Sequence, residues 1–134
     1  MGGAACRARG TERRGPLALG RAGEELAARY LAGQGMRVLS RNWRCRAGEL
    51  DLVATDYRGL IVCEVKTRSG DGFGAPEEAV TQEKVHRLWR LAHEWKRHHN
   101  LRCWCPLRFD VIAVSAPPGA PWTLRHFPAV GAER

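Results

Sequence analysis

Two carboxylates and an ammonium sit in the middle of this chain, on stretches that otherwise read as buried strands. Asp51 lies in Gly48-Glu49-Leu50-Asp51-Leu52-Val53-Ala54, and Glu64 and Lys66 lie in the run from Leu60 to Thr67. Asp56-Tyr57-Arg58-Gly59 between them has the composition of a hairpin turn. With that loop Thr55 faces Leu60, and counting outwards along an antiparallel pair sets Asp51 against Glu64 and Glu49 against Lys66. Like charges directly opposed on a sheet repel. A divalent cation between Asp51 and Glu64 removes that repulsion, because Mg²⁺ and similar hard ions take one or two carboxylates together with water and phosphate. The plainer alternative is a surface ion pair of Lys66 with Glu49 or Asp51, which needs no function.

A third carboxylate is placed by helical spacing. Glu24 has Ala27, Ala28 and Leu31 at +3, +4 and +7, so it shares the apolar face of a helix over Leu19 to Leu31. Glu25 has Arg29 at +4, an ordinary exposed pair. Gly23 weakens this helix by ~1 kcal/mol relative to Ala, yet it allows close packing. An inward Glu24 either completes an acidic cluster with Asp51 and Glu64 or is a carboxylate favoured by the helix dipole.

The elements that must position these groups follow from periodicity and punctuation. Residues 1–16 are rich in Gly, Ala and Arg and read as a flexible basic arm, leaving 17–134 as one domain. Gly33 and Gly35 end the first helix, and Met36 to Trp43 reads as a strand. On the hairpin, Leu50, Leu52, Ile61, Cys63 and Val65 form the expected buried face, with Val53, Leu60 and Val62 partly covering the acidic one. Ser69 to Pro76 is Gly-rich and reads as a mobile loop. A long helix runs from Pro76 or Glu77 to His98, with Val85, Leu88, Trp89, Ala92 and Trp95 as its apolar stripe. Phe109 to Val114 is a strand that is apolar except at Asp110, and Trp122 to Phe127 is a short last strand expected at an edge. A helix between two strands implies a crossover. The fold class is therefore α/β, with a central mixed sheet of about five strands flanked by helices.

Composition narrows the partners. The 134 residues carry 22 Lys and Arg against 14 Asp and Glu, a net charge of +8, which favours an anionic partner, most commonly nucleic acid. No apolar run reaches the roughly 18–20 residues of a membrane helix. Five cysteines form no closed disulfide set and no secretory signal is visible, so a cytoplasmic location is expected. Cys103 and Cys105 lack a second pair and read as ordinary cysteines. Arg41, Arg44 and Arg46 interleave with Trp43, and Gln82, Lys84, Arg87, Arg90 and Arg97 lie on the long helix. Together with Arg68 they are candidate nucleic-acid contacts, although a solvated helix face accounts for most of the charges equally well. Trp89, Trp95 and Trp104 read as core rather than as a base-stacking platform.

Leu19-Gly20-Arg21-Ala22-Gly23-Glu24, Arg41-Asn42-Trp43-Arg44, Gly48 to Ala54 and Cys63-Glu64-Val65-Lys66-Thr67-Arg68 together resemble the YraN family of bacterial proteins, which has no settled function. Phe73-Gly74, Glu78-Ala79-Val80, Lys84 and Arg108-Phe109-Asp110-Val111-Ile112 extend the likeness over roughly residues 17–127. The resemblance implies a restriction-endonuclease-like fold with the PD-(D/E)xK nuclease signature, nearest to archaeal Holliday-junction resolvases. It maps Glu24 onto the helix Glu of that metal site, Asp51 onto the hairpin Asp, and Glu64 and Lys66 onto E-x-K. Mg²⁺ or Mn²⁺ would then sit on Asp51, Glu64 and the Val65 carbonyl, with Glu24 acting through water or a second ion and Glu49 supporting Lys66. Leu50 stands where the signature has Pro. The expected activity is metal-dependent cleavage of DNA, in repair or recombination. The alternatives are a nucleic-acid-binding protein on an inactive scaffold, and an interaction protein whose last strand joins two copies into a homodimer.

Overall fold

The computed structural model describes residues 4–6, 15–70, 81–101 and 105–130. Among these described residues eight elements follow one another: β1 (Ala4–Cys6), α1 (Pro16–Gly33), β2 (Arg37–Cys45), β3 (Gly48–Thr55), β4 (Leu60–Arg68), α2 (Gln82–His98), β5 (Leu107–Ser115) and β6 (Trp122–Phe127). Local chemistry sets their ends. Pro16 opens α1, where its missing N–H costs nothing. Gly35, at φ 88°, reverses the chain after α1, and the Met36 N–H returns to the Leu31 carbonyl. Thr81 caps α2 by accepting the Lys84 N–H at 3.1 Å. In the β3–β4 turn, Asp56 Oδ1 accepts the N–H groups of Arg58 (2.8 Å) and Gly59 (2.9 Å).

The strands form one mixed sheet in the order β1-β6-β5-β4-β3-β2. Among the described strands only β4 and β5 run parallel, and α2 lies in the crossover between them. The two helices take opposite faces. Ala27, Ala28 and Leu31 of α1 pack with Leu52, Ile61, Cys63, Ile112 and Leu124, whereas Val85, Leu91, Ala92 and Trp95 of α2 pack with Leu50, Val53, Leu60, Val62 and Phe109. The expected α/β architecture is present.

The expected mixed sheet of about five strands is there, and among the described residues it gains a sixth, Ala4–Cys6, which lies inside the stretch read as a basic arm and pairs with β6. Three expectations need correction. Trp122–Phe127 is consequently not an edge, so it is not a free strand for a homodimer; the edges are β1 and β2. Leu50 belongs to the α2 face, not to the α1 face with Leu52. The cause is that the β3–β4 ladder runs from Thr55↔Leu60 to Leu52↔Cys63 and stops, so the regular alternation of β3 is lost at Asp51. The apolar stripe of α2 also includes Leu91, while Leu88 and Trp89 are only half-buried. Residues 76–80 of the expected helix, residues 71–76 of the Gly-rich loop, Cys103 and Trp104 lie outside the described residues. Among those described, no helix is long and apolar enough to cross a membrane.

A polar knot ties the far end of the α1 face. Asp110, 1% exposed, accepts two bonds from Arg108 at 2.9 Å and the Ala129 N–H at 2.9 Å, and lies 2.7 Å from His126 Nε2. The other ring nitrogen of His126 is 3.1 Å from the Tyr30 hydroxyl. Burial pushes the Asp110 carboxyl up, but these bonds outweigh it and hold the pKa below the usual range.

Close approach of α1 to β4 depends on Gly23. A Cβ there would overlap Thr67 Oγ1 and lie 3.0 Å from Thr67 Cβ, whereas a Cβ at Gly20 meets nothing within 4 Å. The two alanine substitutions should therefore differ in sign despite their shared gain in helix propensity. Gly20→Ala should stabilise by about 0.5–1 kcal/mol, and Gly23→Ala should destabilise by about 1–2 kcal/mol as α1 is pushed off the sheet. Urea midpoints at unchanged m-value check both, and equal shifts would contradict the packing.

Candidate metal centre

The interruption of the β3–β4 ladder at Asp51 is the origin of the site. Asp51 Oδ2 accepts the Val65 N–H at 2.9 Å, a bond that a backbone carbonyl would have made had the ladder continued. An extended residue directs its N–H and C=O to the same side, so the Val65 carbonyl also leaves β4 on the Asp51 side. A matching irregularity lies on β2. Arg41 pairs with Leu52 and Trp43 with Leu50, and Asn42 between them adopts φ 50°, a left-handed conformation that Asn tolerates. With its nitrogen turned toward α1, the Asn42 amide donates to Glu24 Oε1 at 2.9 Å and Oε2 at 3.2 Å.

Three carboxylates converge as a result. One oxygen from each of Glu24, Glu49 and Asp51 lies within 4.8 Å of the others. Glu49 is also held by Arg44, its cross-strand partner on β2, at 2.9 Å. The expected pairing of Glu49 with Lys66 is not present: β3 has left β4 before Glu49 is reached, so its neighbour is β2. Electrostatics follow the crowding. Burial above all, and then the charges of Glu24, Glu64 and Glu49, push Asp51 up to about 6 against the pull of the Val65 N–H. Burial likewise raises Glu24 against the Asn42 hydrogen bond, with Glu49 adding to the rise and Arg21 opposing it.

Glu64 stands beside this trio on β4. Lys84 Nζ approaches Glu64 Oε1 at 2.5 Å and Lys66 Nζ approaches the same oxygen at 3.5 Å. The other oxygen, Oε2, is buried and has no hydrogen-bond partner among the described residues. Burial, reinforced by neighbouring Lys84, holds Lys66 below its usual range in spite of Glu64. A cleft of about 440 Å³, lined by Leu17, Gly20, Arg21, Glu24, Asn42, Arg44 and Glu49, opens onto two of the three carboxylates, Glu24 and Glu49.

The expected site residues are thus placed as follows. Glu24 and Asp51 meet; Glu49 joins them; Glu64 and the Val65 backbone adjoin Asp51; and Lys66 adjoins Glu64. Among the expected nucleic-acid contacts, Lys84 is part of this constellation. Arg41 pairs with Glu25 at 2.5 Å, Glu25 also pairs with Arg29 at 3.1 Å as its spacing predicts, and Arg44 is engaged with Glu49. Arg68 donates to the Thr67 carbonyl at 3.3 Å, and Gln82 and Arg87 are exposed on α2. Residue type and spacing do not mark Asn42 as part of the site, although it holds Glu24. Its signal was a polar, strand-averse residue within a strand-like run. Trp95 is core, as expected, with its indole N–H donating to Ser40 Oγ at 2.8 Å.

The sequence profile of a family described as "Uncharacterised protein family UPF0102" matches residues 23–114, a stretch that contains every residue of this constellation. The chain belongs to the UPF0102 family. It is 52% identical over 109 residues to the UPF0102 protein of Frankia alni, covering 81% of this chain and 90% of that one. It is 50% identical over 113 residues to the UPF0102 protein of an Arthrobacter species, covering 84% and 95%. UPF0102 is the YraN family that the sequence motifs resemble.

The raised Asp51 gives this UPF0102 protein a testable pH signature. A carboxyl whose folded pKa lies above its unfolded value of 3.8 contributes stability below that value, and the contribution is lost as pH rises through about 6. Without divalent metal, the chain should therefore lose stability across this window. Asp51→Asn should flatten the loss and make the variant more stable than wild type at pH 8 by about 1–3 kcal/mol. Denaturation in EDTA at several pH values measures this, and a less stable Asp51→Asn would contradict it.

Proposed function

We propose that this protein is a metal-dependent DNA endonuclease of the PD-(D/E)xK type on a restriction-endonuclease-like fold. The observation that carries this reading is the convergence of carboxylates from α1 and β3 on Asp51, next to a Glu64 oxygen that is buried without a partner. Such a set is crowded with negative charge and fits a hard divalent cation. Asp51, Glu64 and the Val65 carbonyl would hold Mg²⁺ or Mn²⁺, with Glu24 and Glu49 reaching it through water or taking a second ion. When bound, the ion supplies positive charge to the phosphate oxygens and acidifies water for in-line attack.

The remaining work belongs to the chain's own side chains. Lys66, held below its usual range by burial, can orient the attacking water and accept its proton more readily than an exposed lysine. Lys84 and Lys66 both neutralise Glu64 Oε1, which leaves Oε2 for the cation. Asn42 fixes the Glu24 carboxylate, and Gly23 lets α1 bring that carboxylate down to the sheet. The net charge of +8 suits a polyanionic substrate.

Lys84 also favours a second reading, because it already neutralises Glu64 without a metal. On that reading the protein binds nucleic acid on an inactive scaffold. Incubation with Mn²⁺ and linear, nicked, flapped and four-way DNA separates the two. Wild type should cut at least one of these, and Asp51→Ala and Lys66→Ala should each lower the rate by about 100-fold or more while DNA binding changes by less than about threefold. Absence of cleavage on every substrate would favour the inactive scaffold.

A further inference from the structure

The outward face of α2 carries two stripes that the metal centre does not use. Arg87, Arg90 and Arg97 stand at i, i+3 and i+10, and all three are exposed. Arg87 and Arg90 form no ion pair with any described residue, whereas Arg97 is tied to Glu94. Beside them His86, Trp89 and His93 stand at i, i+3 and i+7. Trp89 is half-buried, with its ring 6.1 Å from Phe109 in the core and 5.0 Å from His93. Arg87 and Arg90 make a ridge between two open grooves. One, of about 600 Å³, is lined besides by Glu83, His86 and Trp89; the second, of about 560 Å³, by Ala47, His93, Glu94 and Arg97, so that each groove holds one carboxylate against the shared arginines.

The ridge begins one helical turn beyond Lys84, whose ammonium touches Glu64. Any polyanion lying on it therefore leads to the carboxylates. We infer that this face of α2 is a track for a single strand of DNA, with its phosphates on Arg87 and Arg90 and its bases against His86, Trp89 and His93. Cations alone would suit a duplex as well. Rings aligned beside them favour unstacked bases, which a duplex hides and a single strand offers. A membrane surface fits poorly, because the apolar face of α2 is already spent on the sheet and cannot insert.

The track takes its polymer from the endonuclease reading, but its test needs no cleavage. Fluorescence anisotropy in EDTA compares full-length protein on a labelled oligothymidylate of about 15 nucleotides with a duplex of equal length. The single strand should bind about tenfold or more tightly than the duplex. Arg87→Ala/Arg90→Ala should weaken it by about tenfold or more and flatten the slope of log affinity against log salt by about 1.4, at 0.7 per lost phosphate contact. His86→Ala/His93→Ala should weaken single-strand binding several-fold with the slope unchanged. All four substituted side chains are exposed, so the variants should fold, which thermal melts check. A duplex bound as tightly as the single strand, or an Arg87→Ala/Arg90→Ala variant with unaltered slope, overturns the track. Strand binding through these arginines in a protein that cuts nothing overturns the endonuclease reading alone. Cleavage by wild type with binding indifferent to the arginines overturns the track alone.

Discussion

Where β3 parts from β4, one side chain takes over a job normally done by the backbone. Asp51 accepts the Val65 N–H, so the ladder ends without leaving that buried donor unsatisfied. The bond requires an oxygen that sits low in the sheet, and burial then raises the carboxyl to about 6. Everything else at the site follows from this point. Past Asp51, β3 keeps only its β2 partner, which sets Glu49 against Arg44, and the neighbouring β4 residues present Glu64 and Lys66 beside the opening.

The helices close the opening from both faces. From one side α1 brings Glu24, which it can do only because Gly23 permits near contact with Thr67 and because Asn42 accepts a left-handed backbone while donating to the carboxylate. From the other side α2 brings Lys84, fixed at its first turn by the Thr81 cap. The carboxylates of Glu24 and Glu49 thus gather on the α1 side, flanked by Arg21 and Arg44, and the Lys84 ammonium arrives from the α2 side, with Asp51 and Glu64 at the boundary. That polarity suits a cation on one side and a phosphate chain on the other.

Much of this was legible from residue order. The register from Thr55↔Leu60 to Leu52↔Cys63 follows from the turn at Asp56 to Gly59, and the inward Glu24 follows from helical spacing. What was not legible depends on backbone irregularity. Period-two counting cannot foresee that β3 abandons its partner at Asp51, so it puts Leu50 on the wrong face and Glu49 opposite the wrong partner. Long-range placement was hidden for a similar reason. Helical spacing turns Lys84 toward the open end of the sheet but does not name Glu64, 20 positions earlier, as its partner, and the three-residue β1 is too short to show a period at all.

Direct observation of the cation tests the central claim most sharply. Crystals grown or soaked with Mn²⁺ at pH 8, where Asp51 is ionised, locate the ion by its anomalous scattering. The account predicts a strong peak within about 2–2.5 Å of oxygens from both Asp51 and Glu64, and its loss in Asp51→Asn. Mn²⁺ found only at other surface carboxylates, or an unchanged peak in that variant, would contradict it.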